Sequence, residues 1–78
     1  MLEIIGGFHM TVISTYFKEE GMFKARAEVI RVEQGVYKID YYDINGDFIK
    51  DEYFPNKSIY YVEDAAENWA LGIKVLNG

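Results

Sequence analysis

Few residues in this chain could do chemistry, and their spacing decides how each is read. Asp43-Ile44-Asn45-Gly46-Asp47 carries oxygen-bearing side chains at alternate positions, as at the opening of a calcium-binding loop. The sixth position, where such a loop needs glycine, is Phe48, and the twelfth, where it needs a bidentate Glu, is Phe54. The same residues read as a turn between two strands, so no metal is expected. His9 is the one side chain that titrates near neutrality without perturbation. The chain has no GxSxG, HExxH or cysteine, so no nucleophile is identifiable for His9 to serve, and it is read as a surface or packing residue. Asp51 and Glu52 are adjacent, so in a strand they point to opposite faces and cannot act on one bond. Neither an enzyme nor a cofactor is expected.

Binding chemistry remains. Tyr16, Phe17, Tyr37, Tyr41, Tyr42, Tyr53, Phe54, Tyr60 and Tyr61 include adjacent pairs at 41/42, 53/54 and 60/61. Neighbours in a strand face opposite ways, so one member of a pair can enter the core while the other stands on the second face. Exposed tyrosines of this kind serve an interface, a base-stacking platform or an ordinary sheet surface. Charge is also segregated. Residues 18–38 hold five basic side chains and four acids, whereas residues 40–67 hold eight acids and two lysines. Such a pattern can steer a partner, or let one subunit's basic face meet the acidic face of the next.

Seventy-eight residues make one domain, residues 1–78, and half of them are hydrophobic, enough to build a core. A core this small rarely supplies more than about 3–5 kcal/mol unaided. With no cysteine there is no disulfide or thiolate zinc site, and self-association is the remaining staple. The first ten residues lack a basic n-region and a long apolar run, and no window reaches the roughly 18 apolar residues of a membrane span. A soluble, cytoplasmic protein without a membrane partner is expected. The net charge of −5 argues against tight, non-specific binding to a phosphate backbone.

The positioning elements follow from turn signals at short intervals: residues 18–21, Gln34-Gly35, Asn45-Gly46 and residues 55–58. This rhythm suits an antiparallel meander, with strands at about 10–17, 23–33, 36–44, 47–54 and 59–62. Val29, Ile30 and Val32 cannot share one face, so the second strand is expected to bend near 29–31 and curl the sheet towards a barrel. Asn45-Gly46 suits a two-residue type I′ turn, which pairs Tyr41 with Lys50, Tyr37 with Phe54, Tyr42 with Ile49 and Asp40 with Asp51. Solvation, screening by Lys38 and Lys50, or a bound cation could relieve the like-charge pair, solvation being the simplest. Val62, Ala66, Trp69 and Ile73 form a helical stripe, giving a helix over 63–71 with Glu63 and Asp64 in its first turn and Gly72 as its stop. A helix starting at Ser58 as N-cap competes with the fifth strand, which the β-branched and aromatic residues 59–62 favour. Residues 73–76 offer a short terminal strand.

The stretch DFIKDEYFPNKSIYYVEDAAENWALG, Asp47 to Gly72, resembles a group of small acidic proteins of marine cyanophages and ocean metagenomes without established function. The resemblance implies a mainly β fold, a strongly bent five-stranded antiparallel small barrel of the Sm/LSm or SH3 type, here with one short C-terminal helix. It further implies a homo-oligomeric ring, pentamer to heptamer, that binds RNA or single-stranded DNA and takes part in its processing in the cytoplasm of an infected host cell. By position, Lys57 and Asn56 would engage the backbone, Lys38 and Arg31 would be outer contacts, and Tyr37 or Tyr60 would stack a base. The competing expectation is an adaptor whose acidic half, residues 40–67, docks on a basic host or phage protein.

Overall fold

Alternating strand residues joined by tight turns build the sheet directly. The structure, a computed structural model, describes residues 10–76, so the reading of His9 lies outside the described residues. Strands β1 (Thr11–Glu20), β2 (Phe23–Glu33), β3 (Val36–Tyr42) and β4 (Phe48–Pro55) form one antiparallel sheet in chain order, followed by helix α1 (Ile59–Ala70). The mainly β class and the meander agree with the sequence pattern. The fifth strand and the closed barrel do not: β1 and β4 are the two edges of an open sheet, and residues 59–62 are the first turn of the helix.

The helix wins those residues because burial outweighs local propensity. Pro55 ends β4, Asn56 takes φ 68°, and Ser58 is extended, its side chain accepting the Tyr61 N–H at 3.2 Å. That is the N-cap geometry, and from it Val62, Ala66 and Trp69 all reach the sheet. Glu63 and Asp64 consequently fall in the second turn. At the other end Gly72 takes φ 83°, and the Asn68 carbonyl accepts from Ile73 and Lys74 at 2.8 and 3.0 Å. These bonds satisfy a carbonyl the helix leaves free, and residues 73–76 fold back without forming a strand.

The Asn45-Gly46 hairpin is also wider than expected. Asp43 Oδ1 accepts the N–H groups of Asn45 and Asp47 at 2.9 and 3.0 Å, and only Gly46 in the loop has positive φ, 85°. The loop is therefore the three-residue form closed by a left-handed glycine. Tyr42 pairs with Phe48 instead of Ile49, which becomes a bulge, while Tyr41–Lys50, Asp40–Asp51 and Tyr37–Phe54 pair as the sequence predicts. In β2 the face change falls at Val29 and Ile30, both buried, and the register shift follows between Arg31 and Glu33.

On the helix side, small residues let the elements approach. Ala25 and Ala27 of β2 leave room for the helix, with Val29, Ile39, Tyr41 and Phe54 on the sheet meeting Val62, Ala66 and Trp69. Tyr41 and Trp69 meet edge to face, centroids 5.1 Å apart, and the Lys18 ammonium stands 5.0 Å from the indole. The fully buried Tyr41 donates its hydroxyl to Glu52 at 2.9 Å, Lys74 reaches Glu52 at 3.4 Å, and Ser14 donates to Glu63 at 3.0 Å.

Two predictions follow. Trp69→Ala opens a cavity in the cluster joining helix to sheet and costs about 3–5 kcal/mol, which in a domain of this size leaves the chain largely unfolded by circular dichroism; Trp69→Phe retains the fold. Burial, the hydrogen bond to Glu52 and the charge of that carboxylate push the Tyr41 hydroxyl well above its ordinary 10.0. Burial and the Glu63 charge raise Tyr16 likewise, with Ser14 opposing. Protons are held more tightly in the folded state, so this stability is complete below pH 10 and is lost as pH rises beyond it. Absorbance at 295 nm should show phenols that ionise only as the fold is lost, fewer of them in Tyr41→Phe; full ionisation of all tyrosines in the folded protein would contradict this.

Candidate functional site

The strand residues that alternate with the core point to the face opposite the helix, where no described element covers them. The register lays them out in rows. Phe17, Arg26, Tyr42 and Phe48 form one, Thr15, Glu28, Asp40 and Asp51 the next, and Val12, Ile30, Lys38 and Tyr53 the third. Phe17, Phe48 and Tyr53 are 54%, 55% and 51% exposed, and Val12 is similarly open. Isolated apolar side chains on a surface mean little, but aromatics gathered on one uncovered face mark a place where a partner can bind.

The middle of this face is charged, with one cation held between two carboxylates. Lys38 Nζ lies 3.1 Å from Asp40 Oδ1 and 3.7 Å from Asp51 Oδ2, and stands 5.6 Å from the Tyr53 ring centroid. Lys38 and Asp40 are each only 8% exposed, and buried Asp40 Oδ1 accepts no aligned hydrogen bond beyond this ionic contact. Burial pulls the Lys38 ammonium down, but the close contact and charge of Asp40, with Tyr53 and Asp51 adding, leave it above its ordinary 10.5. The expected Asp40–Asp51 conflict is thus relieved by Lys38, not by solvation, while Lys50 pairs with Tyr41 and so belongs to the other face. In the row below, Arg26 Nε bonds Glu28 Oε2 at 3.0 Å and its guanidinium lies 3.9 Å from the Tyr42 centroid, which itself meets Phe48 edge to face. Lys24 stands 5.6 Å from the Phe17 ring.

The residues singled out for nucleic acid divide between two places. Lys38 is locked in the ion cluster. Arg31 pairs with Tyr37 and Tyr37 with Phe54, one row at the end of the sheet near the start of α1. Phe54 meets Tyr61, and the Lys57 ammonium lies 4.6 Å from the Tyr61 centroid. Asn56 takes the left-handed turn before them, and Tyr60 is 76% exposed on the first helical turn. Five of the six therefore share one end of the molecule, with Tyr37 half-buried against the core.

Phe17, Arg26, Tyr42, Phe48 and Tyr53 were not singled out as a site, although the adjacent aromatic pairs held the signal. Tyr41 and Phe54 entered the core and sent Tyr42 and Tyr53 to the open face, whereas Tyr60 and Tyr61 sit on a helix, where the rule does not apply. The expected segregation of charge also changes in space. Antiparallel pairing sets basic Lys38 among Asp40 and Asp51, so the basic and acidic halves of the chain meet on this face instead of lying apart. The Asp43 carboxylate is engaged by two loop N–H groups, and among the described residues no group of three histidine or carboxylate side chains is placed to hold a metal. A shallow groove of about 390 Å³ lies away from the open face, lined by Tyr61, Asp64, Ala65, Asn68, Ile73 and Lys74. No helix among the described residues is long and apolar enough to cross a membrane.

The ion cluster yields a test by substitution. Lys38→Met leaves Asp40 and Asp51 facing each other without a cation and lowers stability by about 3 kcal/mol, whereas Lys38→Met combined with Asp40→Leu removes the unpaired charge and costs less than the single change. Denaturant melts read the order, and a double variant weaker than the single would overturn it.

Comparison with protein-family models, with curated proteins and with solved structures finds no match to this chain.

Proposed function

We propose that this protein is a non-enzymatic interaction module that docks a basic, apolar-rich protein surface on the uncovered face of its sheet. The observation that carries the reading is the set of half-exposed aromatics, Phe17, Phe48 and Tyr53, around a cluster in which the one cation, Lys38, is already held by two carboxylates. Aromatic anchors supply most of the energy of protein interfaces, with polar surroundings that exclude water. A phosphate backbone would meet a different situation. Arg26 and Lys38 are each committed to carboxylates, so binding an anion there breaks existing pairs. The net charge of −5 favours a basic partner and speeds its approach.

A second reading, single-stranded RNA or DNA, is favoured by the gathering of Arg31, Tyr37, Asn56, Lys57 and Tyr60 at the sheet end. Two basic side chains with the exposed Tyr60 and the half-buried Tyr37 are the minimum of a stacking site. It would occupy a different surface from the protein partner.

The two readings separate in one experiment. Affinity capture from nuclease-treated lysate should retain a stoichiometric protein partner that is lost with Phe48→Ser/Tyr53→Ser and unaffected by Lys57→Ala. Labelled oligonucleotides at low salt should give no signal. Salt-steep oligonucleotide binding abolished by Arg31→Ala or Lys57→Ala would replace the first reading with the second.

A further inference from the structure

Among the described residues, the two edges of the sheet are not equally protected. Edge strands expose unpaired backbone groups, and bulges, prolines or covering segments normally block them. β4 has such devices: a bulge at Ile49, Pro55 at its end, and Lys74 of the returning C-terminal segment held to Glu52. β1 is longer, ten residues, and its single register shift lies at its start, between Val12 and Ser14. From Ser14 to Glu20 it runs in unbroken register with β2, without proline, and Phe17 is more than half exposed.

We infer that a second copy of this chain pairs along that stretch, β1 against β1 about a two-fold axis at Phe17, joining two sheets into one of eight strands. The centre of the unbroken stretch and charge together select the register. With Phe17 opposite Phe17, Lys18 faces Tyr16 and Thr15 faces Glu19, so no like charges are opposed. Moving the axis to Lys18 or Glu19 would set identical charges against each other. The arrangement is also complementary across the contact. Tyr16 lies in the field of Glu63, Glu67 and Asp64 of the helix, and each copy's Lys18 would arrive beside it.

The helices permit it. Each lies over β1, β2 and β3, so helices centred near β2 would be separated by three strand spacings, about 14 Å, wider than the about 8–10 Å of packed helices. A head-to-tail ring would instead require β1 to meet the broken edge of β4. The two-fold pair is closed, and it makes the open aromatic faces continuous through Phe17. This inference stands apart from the identity of the partner that docks on that face.

Light scattering of the full chain over a range of concentrations should give a dimer. Phe17→Asp should weaken it by roughly thirtyfold or more, the loss expected of a central anchor. Phe48→Asp, at the far edge of the same face, should leave the dimer intact. Because the chain has no cysteine, register is tested separately. Thr15→Cys and Glu19→Cys should not cross-link alone under mild oxidation, but should do so when mixed. A monomer at all concentrations, a larger ring, a dimer indifferent to Phe17→Asp, or cross-linking by the single variants and not by the mixture would each overturn the proposal.

Discussion

A twelve-residue helix is about 18 Å long and covers one face of a sheet. In this chain α1 packs over β1, β2 and β3, and the opposite face of all four strands has no described element to shield it. The rest of the structure can be understood from that constraint. The apolar set had to fit under one helix, so alanines at 25, 27 and 66 bring it close and Tyr41 and Trp69 fill what remains. The other face had to be made compatible with water by other means.

It does so by pairing charges between aromatics. On the central strand β3, Lys38 and Asp40 are two apart and therefore share the open face, and β4 brings Asp51 opposite. An ammonium among two carboxylates tolerates burial far better than any of the three alone. Arg26 is held by Glu28 and Tyr42 in the same manner. Long side chains from four strands leave the middle nearly closed while the rings at the margins stay open. A surface with an occupied centre and apolar margins suits another folded surface better than a flexible polyanion, which is why the protein-interaction reading leads.

Much of this was legible in the residues. Strict alternation through Ala25, Ala27 and Val29 marked the buried face of β2, on which Phe23 at the strand's start is left exposed, and three of the four pairings around Asn45-Gly46 were correct. The fourth failed because Asp43 uses its carboxylate on two loop N–H groups, an option that the Asn-Gly pair does not reveal. Residues 59–62 misled for a different reason. Ile-Tyr-Tyr-Val has the side chains of a strand, but Ser58 caps a helix whose stripe continues to Trp69, and burial of that stripe decides the matter. The candidate site was less legible. The turn register already offered Lys38 as one possible screen of the Asp40–Asp51 pair, but solvation was the simplest reading, and only the packed sheet shows Lys38 buried between the two carboxylates.

The sequence by itself determined the meander, the helical stripe, the lack of cysteine and the division of the strand pairs 41/42 and 53/54 between two faces, because these depend on periodicity and composition that act locally. Only the tertiary structure decided that, among the described residues, the sheet stays open, that Asp40 and Asp51 share Lys38, and that β1 is the less protected edge. Those outcomes depend on which strands become neighbours and on where a single helix lies. Both are set by the summed burial of residues far apart in the chain, which no local window contains.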